Sequence, residues 1–471
     1  GDDSIASIAV TSDGGCVVGG TFRASAIELE NGVRLKSKYP TDDTGILIKY
    51  SISGELEWAK AIGDGNDEWI TSVIGTQDGG CIATGYFYGG SISLENGIVL
   101  KNQSGSSDGM IIKYNTNGVI EWAKAIGGTG LEIINSITET NDGDYIAVGY
   151  FQSPSIDFGN NISLTRTGGG GSNGLLMKYS SNGEIKWAQK IGGDAQVESV
   201  IESNDGGYII GGFLYDYRID LGNGVILKNN SNSNNADGML LKYNVDGEIE
   251  WAKNIGGAKN DDIYSMTRTS DGGYIVGGYF CSDSIDLENG ETLINKGDLN
   301  GILIKYNFND EIEWGKEIDG KRISAIIAKD NGSYIIGSSF DKSTIENDGK
   351  VLESKGKTDG MILEITAQLG VPEIQELEVA NKRKEFKITT DVNEIDGIKG
   401  GSISGEDKKS YESVMYGDSS TKEIKMVPDD GYEIIGITVN GDEYKFTKNV
   451  DGSYIMPQFT NMTEDKHIVV T

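Results

Sequence analysis

The chain is poor in the residues on which most site chemistry depends. Its 471 residues include one histidine, His467, with three cysteines, five prolines and seven arginines. A single histidine excludes histidine-cluster zinc or copper sites and argues against a Ser-His-Asp triad. Cys16, Cys81 and Cys281 are too few and too scattered for a disulfide framework. Basic side chains are also scarce: 41 against 72 acidic ones leave a net charge of −31. That charge repels phosphate, so neither nucleic acid nor an anionic membrane surface is expected as a partner. No apolar run reaches the roughly 18 residues of a bilayer span, so direct membrane insertion is not expected. No charged and apolar leader opens the sequence, which reads as a cytosolic chain or one trimmed at its front. Walker loops, Cys-x-x-Cys pairs and dinucleotide fingerprints are absent as well.

What the sequence does contain is repetition. Trp58, Trp122, Trp187, Trp251 and Trp314 follow one another at intervals of 64, 65, 64 and 63 residues. An Asp-Gly type turn precedes Cys16, Cys81, Tyr145, Tyr208, Tyr274 and Tyr334. A glycine opens an apolar run at Gly45, Gly109, Gly174, Gly238, Gly301 and Gly360. In the second copy these markers frame four runs with strand character: Ile70–Thr76, Cys81–Phe87, Met110–Tyr114 and Val119–Ile126. We letter them A to D. No stretch has a convincing 3.6-residue period. Six four-stranded antiparallel units of this length predict an all-β, six-bladed β-propeller over residues 1–368. The recurring tryptophan reads as a wedge between blades. The sixth copy lacks it. Its fourth strand is therefore expected either upstream of Gly1 or from Pro372–Val379.

The unit "SDGGYIVGGYF…DGMLLKYNVDGEIEWAKNIGG" resembles the bacterial β-propeller repeats of secreted and surface proteins. After a linker at 369–383 the pattern changes. Residues 384–471 read as a small all-β module with hairpin signals at Asn440-Gly441 and Asp451-Gly452. The stretch "KGGSISGEDKKSYESVMYGDSSTKEIKMVPDDGYEIIGITVNG" resembles the internalin B-type repeats of Firmicute surface proteins. Together the two resemblances imply an extracellular location, at the cell wall or surface of a Gram-positive bacterium, with the second module as part of a stalk.

Propeller topology puts the A–B and C–D turns on one face and the B–C and D–A connections on the other. The B–C connections are the long ones, 20 to 25 residues from the end of strand B to the glycine of strand C. Each carries its own small hairpin signal, as at Ile285–Gly290. A ligand is therefore expected on the long-loop face. Aligning strand A on Ser7, Ser72, Ser136, Ser199, Ser265 and Ala325 exposes two series. Four positions earlier stand Asp3, Glu68, Glu132, Ala195, Asp261 and Lys321. Asp3, Glu68, Glu132 and Asp261 are read as a carboxylate ring at the channel mouth, suited to Ca²⁺ as the one cofactor considered. The next position holds Ser4, Trp69, Ile133, Gln196, Asp262 and Arg322, different in every copy. Trp69, Tyr88, Gln196, Tyr217, Arg218 and Arg322 are the expected ligand-binding residues. No catalytic residue is assigned, since 72 acids make some suitable carboxylate pair inevitable. A sialidase-like site would need an arginine cluster that seven scattered arginines do not form.

The function expected from these readings is non-catalytic recognition or adhesion by a monomer, with a glycan or a host or cell-surface protein as ligand. The alternatives are a polysaccharide hydrolase or lyase using carboxylates at the channel mouth, and a structural spacer.

Overall fold

The computed structural model describes residues 3–368 apart from 64–65, 104, 169–170, 232–234, 321, 330, 341–343, 348–349 and 354–358. From 371 onward it describes strands only. The chain divides into two compact units, Gly1–Ala380 and Asn381–Thr471. Among the described residues no helix is long and apolar enough to cross a membrane.

The first unit is a six-bladed β-propeller of four-stranded antiparallel sheets. Each sheet comes from one continuous stretch, with the strands in the order A-B-C-D. Blade 1 uses Ser4–Val10, Cys16–Phe22, Thr44–Tyr50 and Leu56–Ile62. Blade 2 uses Glu68–Gly75, Cys81–Phe87, Asp108–Tyr114 and Ile120–Ile126. The A–B turn explains why the Asp-Gly signal recurs. In blade 1 Asp13 accepts bonds from the Thr11 hydroxyl (2.6 Å) and the Gly15 N–H (2.9 Å), while Gly14 takes φ +82°. The same carboxylate reaches Lys49 Nζ on strand C at 2.9 Å, and Glu57 on strand D lies 3.0 Å from that ammonium. Lys113 and Lys305 sit in equivalent pockets with Asp78 and Glu121, and with Asp271 and Glu313. These lysines are buried, and paired carboxylates make that tolerable.

Successive blades pack through apolar faces. Val17 and Leu47 of blade 1 lie in one buried cluster with Ile70 and Val73 from strand A of blade 2. The tryptophan wedge is present as expected. Trp58 and Trp122, on strands D of blades 1 and 2, donate Nε1–H to Thr116 O (3.3 Å) and Ser181 O (3.1 Å) in the C–D turns of the next blades. In the sixth sheet the fourth strand is Val371–Val379, paired antiparallel with Asp359–Gln368. The second of the two expectations is the one observed, and residues 371–379 lie within a blade instead of a linker. Each B–C connection carries a small two-stranded hairpin, as in Ser284–Asp286 with Thr292–Ile294.

The second unit has a five-stranded sheet in which Glu385–Val392 runs parallel to Lys466–Val470 and antiparallel to Glu412–Met415. His467 lies on the last of these strands, opposite Thr389. Ile437–Val439 and Asp442–Glu443 pair on either side of Asn440-Gly441. Asp451-Gly452 lies outside the described residues.

Candidate functional site

Strand A lines the centre of the propeller, and in every blade it carries a β-bulge. The register slips between Ile5 and Ser7, Ile70 and Ser72, Ile134 and Ser136, Val197 and Ser199, Ile263 and Ser265, and Ile323 and Ala325. A bulge leaves one residue out of the ladder and re-aims its side chain. The bulged residues are Ala6, Thr71, Asn135, Glu198, Tyr264 and Ser324. With the series Ser4, Trp69, Ile133, Gln196, Asp262 and Arg322 they form the channel lining, and neither series repeats.

The lining has two unlike sides. On one, Trp69 stacks on its cross-strand partner Tyr86, with centroids 6.1 Å apart and planes 6° from parallel. Tyr88 meets Tyr86 edge-on. On the other side Asn135 Nδ2 donates to Glu198 Oε2 at 3.1 Å, and the Arg322 guanidinium lies 4.2 Å from the Tyr264 ring centroid. Burial pushes the half-buried Glu198 carboxyl up to about 7, with Arg322 opposing the shift. Asp262 is 2% exposed and raised well above the carboxylate range, first by burial and then by the charge of Glu198. Its Oδ1 has no hydrogen-bond partner. Burial raises the Tyr150 hydroxyl above the usual tyrosine value, and Glu198 on one side with Tyr86 and Tyr88 on the other raise it further.

The expected carboxylate ring does not form. Glu68, Glu132 and Asp261 are buried. Glu132 accepts the Gly128 N–H (2.9 Å) and the Ser153 N–H (3.0 Å). Asp261 accepts from Gly257 N, Cys281 N, Ser282 N and the Ser282 hydroxyl, at 2.6 to 3.1 Å. These two carboxylates tie the D–A connection that leads into their blade to the start of that blade's B–C connection. Asp3 is exposed and accepts the Arg23 N–H at 3.2 Å. Lys321 lies outside the described residues. Among the described residues no three histidine, cysteine or acidic side chains group to hold a metal ion, so these four acids do not assemble as the donor set expected of them.

Of the expected binding residues, Trp69, Gln196 and Arg322 belong to the lining, and Tyr88 adjoins it through Tyr86. Tyr217 and Arg218 do not join them. Arg218 opens the hairpin of Arg218–Gly222 with Val225–Lys228, which lies along strand D, the strand farthest from the channel. Glu198, Tyr264 and Asn135 are lining residues that the spacing argument passed over. The signal was available, because the bulge position differs in every copy just as the Trp69 position does.

No protein-family model matches the chain. It is 22% identical over 413 residues to an uncharacterized WD repeat-containing protein of Acanthamoeba polyphaga mimivirus. That match covers 73% of this chain and spans about 30% of the relative's length. Similar solved structures include the Dos1 propeller, 11% identical, covering 80% of this chain and 85% of that one with a TM-score of 0.41. Sqt1 of Chaetomium thermophilum is 12% identical, covering 80% and 72% with a TM-score of 0.39.

Proposed function

We propose that the protein is a non-catalytic recognition module that binds a protein partner at the channel mouth and receives a basic side chain there. One observation carries this reading. The packing positions of strand A are nearly constant from blade to blade, while the two channel-facing positions differ in every copy. Strands that share their packing positions but diverge where they face a cavity form an asymmetric binding surface. The chemistry of the lining supports a cationic group. Aromatic faces at Trp69 and Tyr86 attract a cation, Glu198 supplies negative charge once it ionises, and Asp262, kept neutral by burial, leaves one acceptor oxygen unpaired beside it. The likeness to a WD repeat-containing protein is in keeping with an interaction role.

The test is titration of the protein with short peptides bearing one lysine or one arginine, followed by tryptophan fluorescence and calorimetry. Binding is expected to be stronger at pH 8 than at pH 6, since the Glu198 carboxyl, held at about 7, must ionise to pair with a cation. Glu198→Gln with Asp262→Asn should weaken binding about tenfold or more. No heat with any basic peptide, at either pH, overturns the reading.

A glycan ligand is the second reading, favoured by the parallel Trp69–Tyr86 platform. A positive glycan array beside blank peptides would select it, and new reducing ends in a polysaccharide screen would point to catalysis. Display at a bacterial surface is part of the proposal and draws its support from the surface-repeat likeness of residues 384–471. Immunolocalisation on intact cells tests it.

A further inference from the structure

The five junctions between successive blades share one construction. The trailing face of each sheet offers one apolar residue from strand B and one from strand C. The leading face of the next sheet offers two from strand A. Ile82 and Ile111 thus meet Ile134 and Ile137, Ile209 and Leu240 meet Ile263 and Met266, and Ile275 and Leu303 meet Ile323 and Ile326. All of these side chains are buried. At three of the five junctions a glycine on strand B lets the faces close, with Thr84 and Val148 in its place at the other two: a Cβ on Gly211 would stand 2.7 Å from Ile263 Cγ2, and one on Gly277 would stand 2.7 Å from Ile326 Cδ1.

At the two ends of the array the same positions are uncovered. Ile5 and Ile8, the counterparts of Ile134 and Ile137, are 56% and 65% exposed. Ile362, the counterpart of Leu240 and Leu303, is 44% exposed, and Ile327 on strand A of the same sheet is 59% exposed. Gly337 stands where Gly211 and Gly277 stand, yet a Cβ there would find only Ala325 of its own sheet, at 3.7 Å. Among the described residues, the leading face of blade 1 and the trailing face of blade 6 therefore lack the neighbouring blade that every other blade face has.

We infer that these two faces dock on each other between copies, the trailing face of blade 6 taking the leading face of blade 1 of a second copy. The occupant follows from the five internal junctions. What fits against Ile327, Ile362 and Gly337 is a strand A with two apolar residues in the spacing of Ile5 and Ile8, and a second copy presents one, exposed. The contact is heterologous: each copy uses a different face, so association either closes a ring of copies or propagates. The net charge of −31 on each copy opposes the approach, and salt should strengthen it.

Sedimentation velocity of the full chain, from low to high micromolar concentration and at two salt concentrations, tests the inference. The wild type should shift to faster-sedimenting species with concentration, more so at higher salt. Ile8→Glu disables the blade 1 face, and Ile327→Glu disables the blade 6 face. Each variant alone should remain monomeric, and an equimolar mixture should recover a discrete dimer, since one intact face of each kind survives. Both positions are exposed, and unchanged thermal melts would verify that the variants fold. Ile5→Ser serves as a milder second lesion. A wild type that stays monomeric throughout, its ends free or closed on each other within one molecule, overturns the inference. So does a mixture that stays monomeric while the wild type associates.

Discussion

At the scale of residues, recurrence and variation mean opposite things. The first residue of strand C is Asp108 in blade 2, Asn173 in blade 3, Asp237 in blade 4 and Asn300 in blade 5. Asn173 accepts the Thr167 N–H at 2.7 Å and donates to Thr167 O at 2.8 Å and Gly193 O at 2.6 Å. Among the described residues Asp108 accepts the Gln103 N–H, at 3.1 Å, and its Oδ1 is buried without a partner. Burial pushes its carboxyl up to about 7, far above the usual carboxylate value. A group raised in this way stabilises the fold below its unfolded pKa of about 4, and the contribution fades as the pH climbs through about 7. Asp108→Asn should therefore raise stability by about 1–2 kcal/mol above pH 7 and by little near pH 4. Urea melts at the two pH values check this. The same logic explains what the sequence showed and hid. Acids recurring at the Glu68, Glu132 and Asp261 positions suggested a ring, but an acid that recurs at one place in several units can serve each unit separately, as Glu132 and Asp261 do by capping backbone N–H groups. Lys49, Lys113 and Lys305 were missed because a lysine in a strand reads as facing solvent. Only the structure shows the carboxylates that hold each one inside.

At the scale of the element, the blade was legible because two independent patterns coincide: alternating apolar runs and Asp-Gly turns. The fourth strand of blade 6 was harder to place, since Val371–Val379 lacks the tryptophan marker and carries Pro372. The wedge itself can be tested with two glycines that share a backbone conformation. Gly183 and Gly206 both sit in turns with φ near +80°. Around Gly206 an added Cβ would meet nothing within 4 Å, whereas on Gly183 it would stand 2.6 Å from Trp122 Cδ2 in the preceding blade. Gly206→Ala should cost about 1 kcal/mol through its backbone alone. Gly183→Ala should cost about 3 kcal/mol, because the tryptophan must also retreat. Chemical denaturation of the two variants side by side separates the wedge from the turn, and equal losses would deny the tryptophan its role.

At the scale of the whole molecule, blade number and blade order could be read from the repeat, but the state of the end faces could not. Ile5 and Ile8 have the same chemistry as their buried counterparts, and only their neighbours differ. The channel was partly legible for the same reason in reverse: variation at the Trp69 position was visible, but the bulge that adds Glu198 and Tyr264 belongs to backbone geometry. One feature of the fold has a mechanical consequence. Every blade of the propeller is made from a single stretch of chain, and the described strands of blades 1 and 6 share no pairing. Among the described strands none from one end of the propeller latches the other, and each sheet is entered and left on the same face, so a pull along the chain peels open six separate units in series. Stretched between its ends in a force spectrometer, the propeller should yield as a sawtooth, one blade at a time. Each step should release roughly 64 residues of extended chain, about 22 nm. A single rupture releasing the whole propeller at once would show that the blades fail together. A propeller that yields stepwise would dissipate load instead of snapping, behaving as a shock absorber wherever its two ends are held apart.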